Sequence, residues 1–299
     1  MNTQLPAIVW RLLRPPTLTA SITPVLVGAG LAWQNHNARA QLFWLTLVSA
    51  MLIQAAANML NEYFDHRRGL DNADMVGIAG AIVRDRMHPR TVLAVTGATL
   101  FAAAMLGAYI AWRTSWWVLA AGILCTVFVY LYSAGPQPIS YTPFGEITAG
   151  VVMGPAIILI TYYIQVGSVS STAALASVPI AILIGCVLLA NNIRDIEHDA
   201  RGGRRTLPIT IGRDNAVRLL GLSFTIAYIW LIALMAGGLV TWWASLTLLF
   251  APLARRVPRK FNTRSAPELQ KAFKAVSQTL IAFGLLFFAG LIIGAIQIP

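Results

Sequence analysis

Charged residues are scarce in this chain. Asp, Glu, Lys and Arg make up 11% of its 299 residues, whereas a soluble domain carries roughly 25%. Hydrophobic residues make up 57% and the mean hydropathy is +0.68. Several apolar runs reach about 20 residues, which is the length that crosses a bilayer as a helix. These proportions exclude an ordinary soluble domain and predict an integral membrane protein.

Cysteine is also rare, and two common sequence signals are missing. Cys125 and Cys186 lie inside apolar runs, so we interpret them as small core residues and not as a disulfide, a metal site or a nucleophile. Residues 1–15 carry Arg11 and Arg14 but no apolar core with a small-residue cleavage site, so we expect no cleavable signal peptide. A Gly-x-x-x-x-Gly-Lys phosphate loop is absent, which argues against a nucleotide as the ligand.

The apolar runs predict an all-α membrane protein of a single domain, 1–299. A short amphipathic helix over 1–15 is expected to lie at the membrane interface, and Pro15 and Pro16 separate it from the first span. We predict nine transmembrane helices, at 17–34, 41–64, 91–112, 115–133, 144–165, 173–193, 216–236, 239–254 and 272–297.

The basic residues predict the orientation. If there are nine spans, all of the 22 basic residues except Arg39 and Arg113 fall on one side of the membrane. By the positive-inside rule that side is cytoplasmic, which places the N-terminus inside the cell and the C-terminus outside. The net charge of +11 does not indicate nucleic-acid binding, because the basic residues lie between spans and suit anionic lipid headgroups.

Two clusters of carboxylates and amides stand out against this apolar background. Each follows a long apolar run, so each lies at the end of a predicted span, where ionisable groups are usually functional. Most neighbours within a cluster are four residues apart, which puts them on one helical face. Carboxylate and amide oxygens suit Mg²⁺. The clusters are Asn61, Asp65 and Asp71, and Asn191, Asp195 and Asp199.

Three arginines flank these clusters. Arg84, Arg204 and Arg205 are candidates for binding phosphate oxygens, because guanidinium groups form paired hydrogen bonds with them. The alternative is that they only belong to the positive-inside bias, which is how we interpret Arg68 and Arg218. A metal, two acidic clusters and arginines beside apolar helices suit a lipid that carries a diphosphate.

These motifs resemble the UbiA superfamily of intramembrane prenyltransferases over nearly the whole chain. The first motif of that family matches Asn61, Asp65 and Asp71, and the second matches Asp195 and Asp199 followed by Gly-Arg-Arg-Thr-Leu. The six-residue gap before Asp71, the opening Arg-Pro and Thr-Leu-Thr-Ala-Ser, and the Tyr-x-x-Gly-Pro-x-Pro segment resemble the branch that acts on 1,4-dihydroxy-2-naphthoate. Two departures are Arg204, where that branch usually has Lys, and Asp85, where we would expect a small residue.

The resemblance implies nine helices around a central cavity, with catalysis at its cytoplasmic end. Mg²⁺ would be held by the four aspartates of the two clusters, helped by Asn61 and Asn191. A polyprenyl diphosphate would ionise there, and its polyprenyl group would be transferred to 1,4-dihydroxy-2-naphthoate with loss of CO₂ and release of diphosphate, giving demethylmenaquinone. Tyr132 and Tyr141 are candidates for steadying the cation or orienting the acceptor; as interfacial aromatics they would do neither.

Two alternatives remain open at this point. A related enzyme would prenylate another acceptor, such as 4-hydroxybenzoate or a lipid. A transporter with ion-carrying polar clusters would release no diphosphate and would place its charges near mid-span, whereas the acids here gather at span ends. The expected partners are therefore a polyprenyl diphosphate, dihydroxynaphthoate and the lipid bilayer of the cell membrane, with no nucleic acid.

Overall fold

The computed structural model describes residues 8, 10, 12–34, 39–70 and 81–297 of the chain, and within these ranges the regular structure is helical. Most of the predicted interfacial helix over 1–15 lies outside the described residues, as does Asp71. The α-helices are α1 (Pro15–Gln34), α2 (Ala40–Arg67), α3 (Pro89–Arg113), α4 (Trp116–Ser133), α5 (Gly145–Val151), α6 (Ile157–Val166), α7 (Ser171–Arg201), α8 (Leu207–Ile211), α9 (Arg213–Ala236), α10 (Ala251–Ala254) and α11 (Ala266–Gln297).

Eight helices of the described chain are long and apolar enough to cross a membrane. The stretch from α5 through α6, residues 145–166, counts as one of them. They agree with eight of the nine predicted spans to within a few residues, except that α2, α7 and α11 extend several residues further at the ends that carry polar side chains. The predicted span at 239–254 is not among them.

That stretch is a 3₁₀ helix over Trp242–Phe250 followed by the single turn of α10. The beginning of this 3₁₀ helix packs backbone to backbone against α11, since a Cβ on Gly290 would lie 2.6 Å from the carbonyl carbon of Trp243. Shortly after its last residue, Pro258 packs near Gly221 of α9. Nine residues of 3₁₀ helix and four of α-helix span roughly 24 Å. The segment therefore runs along the bundle without being a regular helix, and nine passes stay a prediction.

The helices differ in what they face. Buried residues make up 67% of the most apolar stretch of α1 and 61% of that of α7, but only 17% in α3 and 11% in α4. The exposed side chains of α3 and α4 are nevertheless apolar, such as Phe101 and Trp117. A continuous exposed apolar surface of this kind suits lipid and not water. The core of the bundle is therefore built around α1, α7 and α11, with α3 and α4 at its edge.

A π-helical turn at Val152–Ala156 joins α5 to α6. It contains Pro155, whose missing N–H breaks the regular hydrogen-bond pattern of a helix. Beside the turn the chain lies close to α7, since a Cβ on Gly154 would lie 2.7 Å from the Cα of Ala181. This close packing brings the start of α5 next to the polar end of α7.

The loops at the polar ends of the helices meet at one end of the bundle. Hydrogen bonds join the loop after α2 to the ends of α4 and α7, the loop after α7 to the loop after α4, and the start of α9 to the loop before α11. They run from Arg68 Nη1 to Ser133 O at 2.7 Å, between His198 Nε2 and Leu70 O at 2.7 Å, from Arg205 N to Tyr141 O at 2.9 Å, and from Arg213 Nη2 to Thr263 O at 2.7 Å. The predicted site residues that the structure describes are gathered at this end.

Candidate active site

Two aspartates from different helices meet through one arginine. Arg204 Nη2 donates to Asp65 Oδ1 at 2.5 Å, and Nη1 donates to Asp199 Oδ1 at 3.1 Å. Asp65 lies in the last turn of α2 and Asp199 in the last turn of α7, and both are buried. The structure therefore brings together one carboxylate from each predicted cluster, as the helical spacing indicated.

The turn after α7 places Arg204 in this position. Gly202 ends the helix and Gly203 adopts a φ of +76°, a conformation that glycine adopts without steric cost. The backbone N–H of Arg204 then donates to Asp199 O at 3.0 Å, which folds the chain back over the end of its own helix. Gly202 also has no room for a Cβ, because Leu70 packs against it.

The surroundings of Arg204 favour its charged form. Burial alone would lower the pKa of Arg204, but the carboxylates of Asp65 and Asp199 outweigh burial and raise the pKa above its ordinary value. Its side chain is 12% exposed, so solvent screens these ion pairs only weakly. Arg204 therefore stays protonated and holds the two carboxylates together by charge.

The ring of Tyr141 packs against the guanidinium groups of Arg204 and Arg68. The guanidinium carbon of Arg204 lies 4.8 Å from the ring centre of Tyr141, and that of Arg68 lies 5.1 Å from the same ring. Arg68 is itself fixed, because it donates to Ser133 O at 2.7 Å and to Gly135 O at 3.0 Å. Tyr141 thus packs against two arginines and is not among the described residues that line the cavity. The positive-inside bias alone therefore does not account for Arg68, because in the folded chain its side chain joins two loops and packs against Tyr141.

Asp195 has a different partner. Arg194 donates to it through Nε at 2.8 Å and through Nη2 at 2.5 Å, and also donates to Asn191 Oδ1 at 2.9 Å and to Gln270 of α11 at 2.8 Å. Asn191 Nδ2 lies 3.5 Å from Asp195 Oδ2. Sequence reasoning missed Arg194; the signal was its place next to Asp195 and three residues after Asn191.

The remaining predicted residues lie around this centre. Asn61 accepts a hydrogen bond from Ser133 Oγ at 3.4 Å and lines the cavity, as do Asn191 and Tyr132. Arg84 and Arg205 are exposed and are not among the described residues that line the cavity.

The donor set fits a hard divalent cation. Oδ2 of Asp199 is buried and accepts no hydrogen bond from the residues that the structure describes, and the amides of Asn61 and Asn191 face the cavity. Oxygen donors of this kind suit Mg²⁺, which is commonly bound through one or two carboxylates plus substrate phosphates. Among the described residues no three acidic, His or Cys side chains form a complete metal site by themselves. Asp71, the fourth predicted aspartate ligand, lies outside those residues.

A cavity of about 290 Å³ opens from this polar centre into the bundle. Its lining includes both Tyr132 near the end of α4 and Val118 near its start. Fourteen residues of helix separate them, or about 21 Å. Between them the walls are apolar side chains such as Ile160 and Leu188. The cavity is thus polar at one end and offers a long apolar chamber beyond it.

One wall at the polar end is fixed by a buried hydrogen bond. Asn192 Nδ2 donates to Glu146 Oε1 at 2.8 Å, and both residues are buried. The contact joins α7 to the start of α5, and Asn192 also lines the cavity. Sequence reasoning did not single out this pair, since nothing in the spacing connects residues so far apart in the chain.

Comparison with known proteins agrees with this geometry. The model of the UbiA prenyltransferase family matches residues 21–280. The chain belongs to this family. Its relatives include 1,4-dihydroxy-2-naphthoate octaprenyltransferases of Bacillus subtilis, 44% identical over 96% of this chain and 92% of the relative, and of Mycobacterium tuberculosis, 32% identical over 95% and 96%.

Solved structures share the UbiA fold. A UbiA homolog from Aeropyrum pernix superposes with a TM-score of 0.65 at 17% identity, over 92% of this chain and 97% of that one. A homolog from Archaeoglobus fulgidus, bound to GPP and Mg²⁺, gives 0.62 at 18% identity, over 94% and 99%. The predicted all-α membrane fold is confirmed by these similarities and by the helices described above.

Proposed function

We propose that this UbiA family member transfers a polyprenyl group from an allylic polyprenyl diphosphate to 1,4-dihydroxy-2-naphthoate. CO₂ and diphosphate are released, and the product is the hydroquinone form of demethylmenaquinone, which a separate two-electron oxidation converts to the quinone. The observation that carries the proposal is the pair Asp65 and Asp199, held by Arg204 at the polar end of a long apolar cavity. Support for the acceptor comes from the names of the relatives.

The two ends of the cavity suit the two parts of the donor substrate. A diphosphate fits beside Arg204, whose positive charge lies at the polar end of the cavity and attracts phosphate oxygens. The polyprenyl tail fits the apolar chamber that extends along α4. The same apolar walls keep water away from the allylic cation that forms when the bond to diphosphate breaks.

The electron balance of the reaction is simple. The pair of electrons in the C–O bond leaves with the diphosphate, and the ring carbon that bears the carboxylate forms the new C–C bond. Loss of CO₂ then returns a pair of electrons to the ring, so the prenyl cation has replaced CO₂ without net loss of a proton. The chain contributes a cation, Arg204, beside the diphosphate, where negative charge accumulates.

Mg²⁺ is the proposed cofactor. Asp65, Asp195 and Asp199, together with Asp71, would hold it, helped by Asn61 and Asn191. When bound, it supplies Lewis-acid stabilisation of the departing diphosphate. Arg84 and Arg205 keep their proposed phosphate role, as exposed cations of the loops at this end, and Tyr132 on the cavity wall keeps its proposed role beside the acceptor.

The test is a competition between acceptors. Purified protein with Mg²⁺ and a polyprenyl diphosphate is offered 1,4-dihydroxy-2-naphthoate or 4-hydroxybenzoate, and the products are identified by mass. We expect product from the naphthoate, with the mass of the hydroquinone of demethylmenaquinone, or of the quinone once air has oxidised it. Prenylated hydroxybenzoate alone would assign the chain to another acceptor, and absence of diphosphate release with both would favour a transporter.

The proposed location is the cell membrane, with the N-terminus and the catalytic end on the cytoplasmic side. The basis is the placement of nearly all basic residues in loops on one side of nine predicted spans. A reporter that matures only in the cytoplasm, fused after Pro299, should give no signal. A bright fusion would require the C-terminus to be inside and the number of spans to be revised.

A further inference from the structure

The described lining of the cavity contains two charged side chains, and both are arginines. One is Arg204, which is already paired with two aspartates. The other is Arg14, which sits between the N-terminal segment and α1. We propose that Arg14 binds the carboxylate of the aromatic acceptor. The inference rests on the proposed function, in which two anionic substrates occupy one apolar cavity.

Burial in an apolar cavity makes an unpaired carboxylate costly, so an acid that binds there needs a cation with free donors. Arg14 meets this need. Its Nη2 lies 3.6 Å from Glu62 Oε2, which is beyond hydrogen-bond distance. Its Nε is buried and has no hydrogen-bond partner in the described part of the chain, and the side chain is 18% exposed. The guanidinium is therefore placed by charge but has donors to spare.

The backbone at Arg14 is held in an uncommon conformation. Its φ is +47°, in the left-handed region that non-glycine residues seldom adopt. Three hydrogen bonds fix it: Thr17 N and Oγ1 donate to Arg14 O at 2.9 and 2.8 Å, and Asn58 Nδ2 donates to Leu13 O at 2.8 Å. Strained residues of this kind persist where neighbours over-determine them and are concentrated at ligand sites. Arg14 combines this conformation with a place in the cavity lining.

Charge balance assigns the carboxylate to Arg14 and the diphosphate to the other arginine. Arg14 is a single cation, and the carboxylate of Glu62, 3.6 Å away, takes none of its N–H donors, so the site suits a singly charged group. The aspartates that would hold a metal with diphosphate lie at Arg204. Glu62 comes one helical turn before Asp65, so the two anion sites are neighbours on α2. That spacing allows an acceptor carboxylate and a diphosphate to be bound side by side.

The test uses two acceptors that differ only in the carboxylate, 1,4-dihydroxy-2-naphthoate and 1,4-dihydroxynaphthalene. Arg14→Gln should raise the KM for the naphthoate roughly 10- to 100-fold, the range for losing a hydrogen bond to a charged group. The KM for the prenyl diphosphate and the rate with dihydroxynaphthalene should change less than about 3-fold. Arg90→Gln, which alters an exposed arginine outside the cavity lining, is the matched control.

Equal losses with both acceptors, or a raised KM for the prenyl diphosphate, would overturn the assignment. If Arg14→Gln does not fold, Arg14→Lys takes its place, because lysine keeps the charge but lacks the paired N–H donors of a guanidinium. It should raise the KM for the naphthoate selectively as well, but by a smaller factor. Binding of 1-hydroxy-2-naphthoate against 1-naphthol, measured without prenyl diphosphate, separates this inference from the proposed function. Wild-type protein should prefer the carboxylate and Arg14→Gln should not, whatever the reaction product proves to be.

Discussion

Replacing Arg204 is the most informative single change at the candidate active site. Arg204→Ala removes both ion pairs that link α2 to α7 and the cation beside the proposed diphosphate. Loss of one preorganised group facing transition-state charge costs about 2.7–4 kcal/mol, or a 10²- to 10³-fold loss in turnover. Because the side chain is 12% exposed, we expect little of this to be masked by solvent.

The turnover of Arg204→Lys should lie between that of Arg204→Ala and that of the wild type. A single ammonium keeps the charge but bonds Asp65 and Asp199 less well than a fork, and it stacks less well on Tyr141. Losing a cation–π contact costs about 0.5–2 kcal/mol. We therefore expect roughly a 3- to 30-fold loss, well short of that of Arg204→Ala.

The assay varies only the prenyl diphosphate, with acceptor and Mg²⁺ saturating. Thermal stability is followed with and without Mg²⁺, because Arg204→Ala leaves two buried carboxylates facing each other. Added Mg²⁺ should stabilise this variant more than the wild type. Arg201→Ala is the control, since that side chain is exposed and contacts only a backbone carbonyl. If Arg204→Ala leaves apparent affinity and turnover unchanged, Arg205 or Arg84 takes the phosphate role instead.

Three further changes test other parts of the account. Asp65→Asn should lower turnover at least about 10²-fold at saturating Mg²⁺ while the protein stays folded, and near-normal rates would remove it from the metal ligands. Tyr141→Leu should raise the KM for prenyl diphosphate in the wild type but add nothing to Arg204→Ala; additive losses would show that it acts elsewhere. Gly290→Ala should lower the free energy of unfolding by about 1–3 kcal/mol, and with it the melting temperature, because the added methyl group is overpacked against Trp243. Gly97→Ala has open space around its Cβ and should leave the melting temperature unchanged.

The spanning helices could be predicted because their signal is local. A run of about 20 apolar residues is sufficient to indicate a helix in a membrane, and eight such runs became helices near the predicted bounds. Composition alone does not distinguish an α-helix from a 3₁₀ helix. The stretch over Trp242–Phe250 takes the 3₁₀ form where it packs against the backbone of α11 at Gly290 and Gly294, contacts that no local pattern reveals.

The candidate site was predictable where helical spacing decides the geometry. Asn191 and Asp195, four residues apart, do lie on one face of α7, and both accept hydrogen bonds from Arg194. What spacing could not predict is which cation each carboxylate meets. Arg204 reaches Asp65 from a turn 139 residues further along the chain. The stacking of Tyr141 depends likewise on two loops meeting, which only the folded chain determines.

The central claim is that prenyl transfer and loss of the carboxylate are one coupled reaction at this site. It is tested most directly with 1,4-dihydroxy-2-naphthoate labelled in the carboxyl group, by measuring labelled CO₂, diphosphate and prenylated product in the same reaction. The account predicts equal amounts of all three, only when Mg²⁺ and prenyl diphosphate are both present. A prenylated product that keeps the label, or CO₂ released without diphosphate, would contradict it.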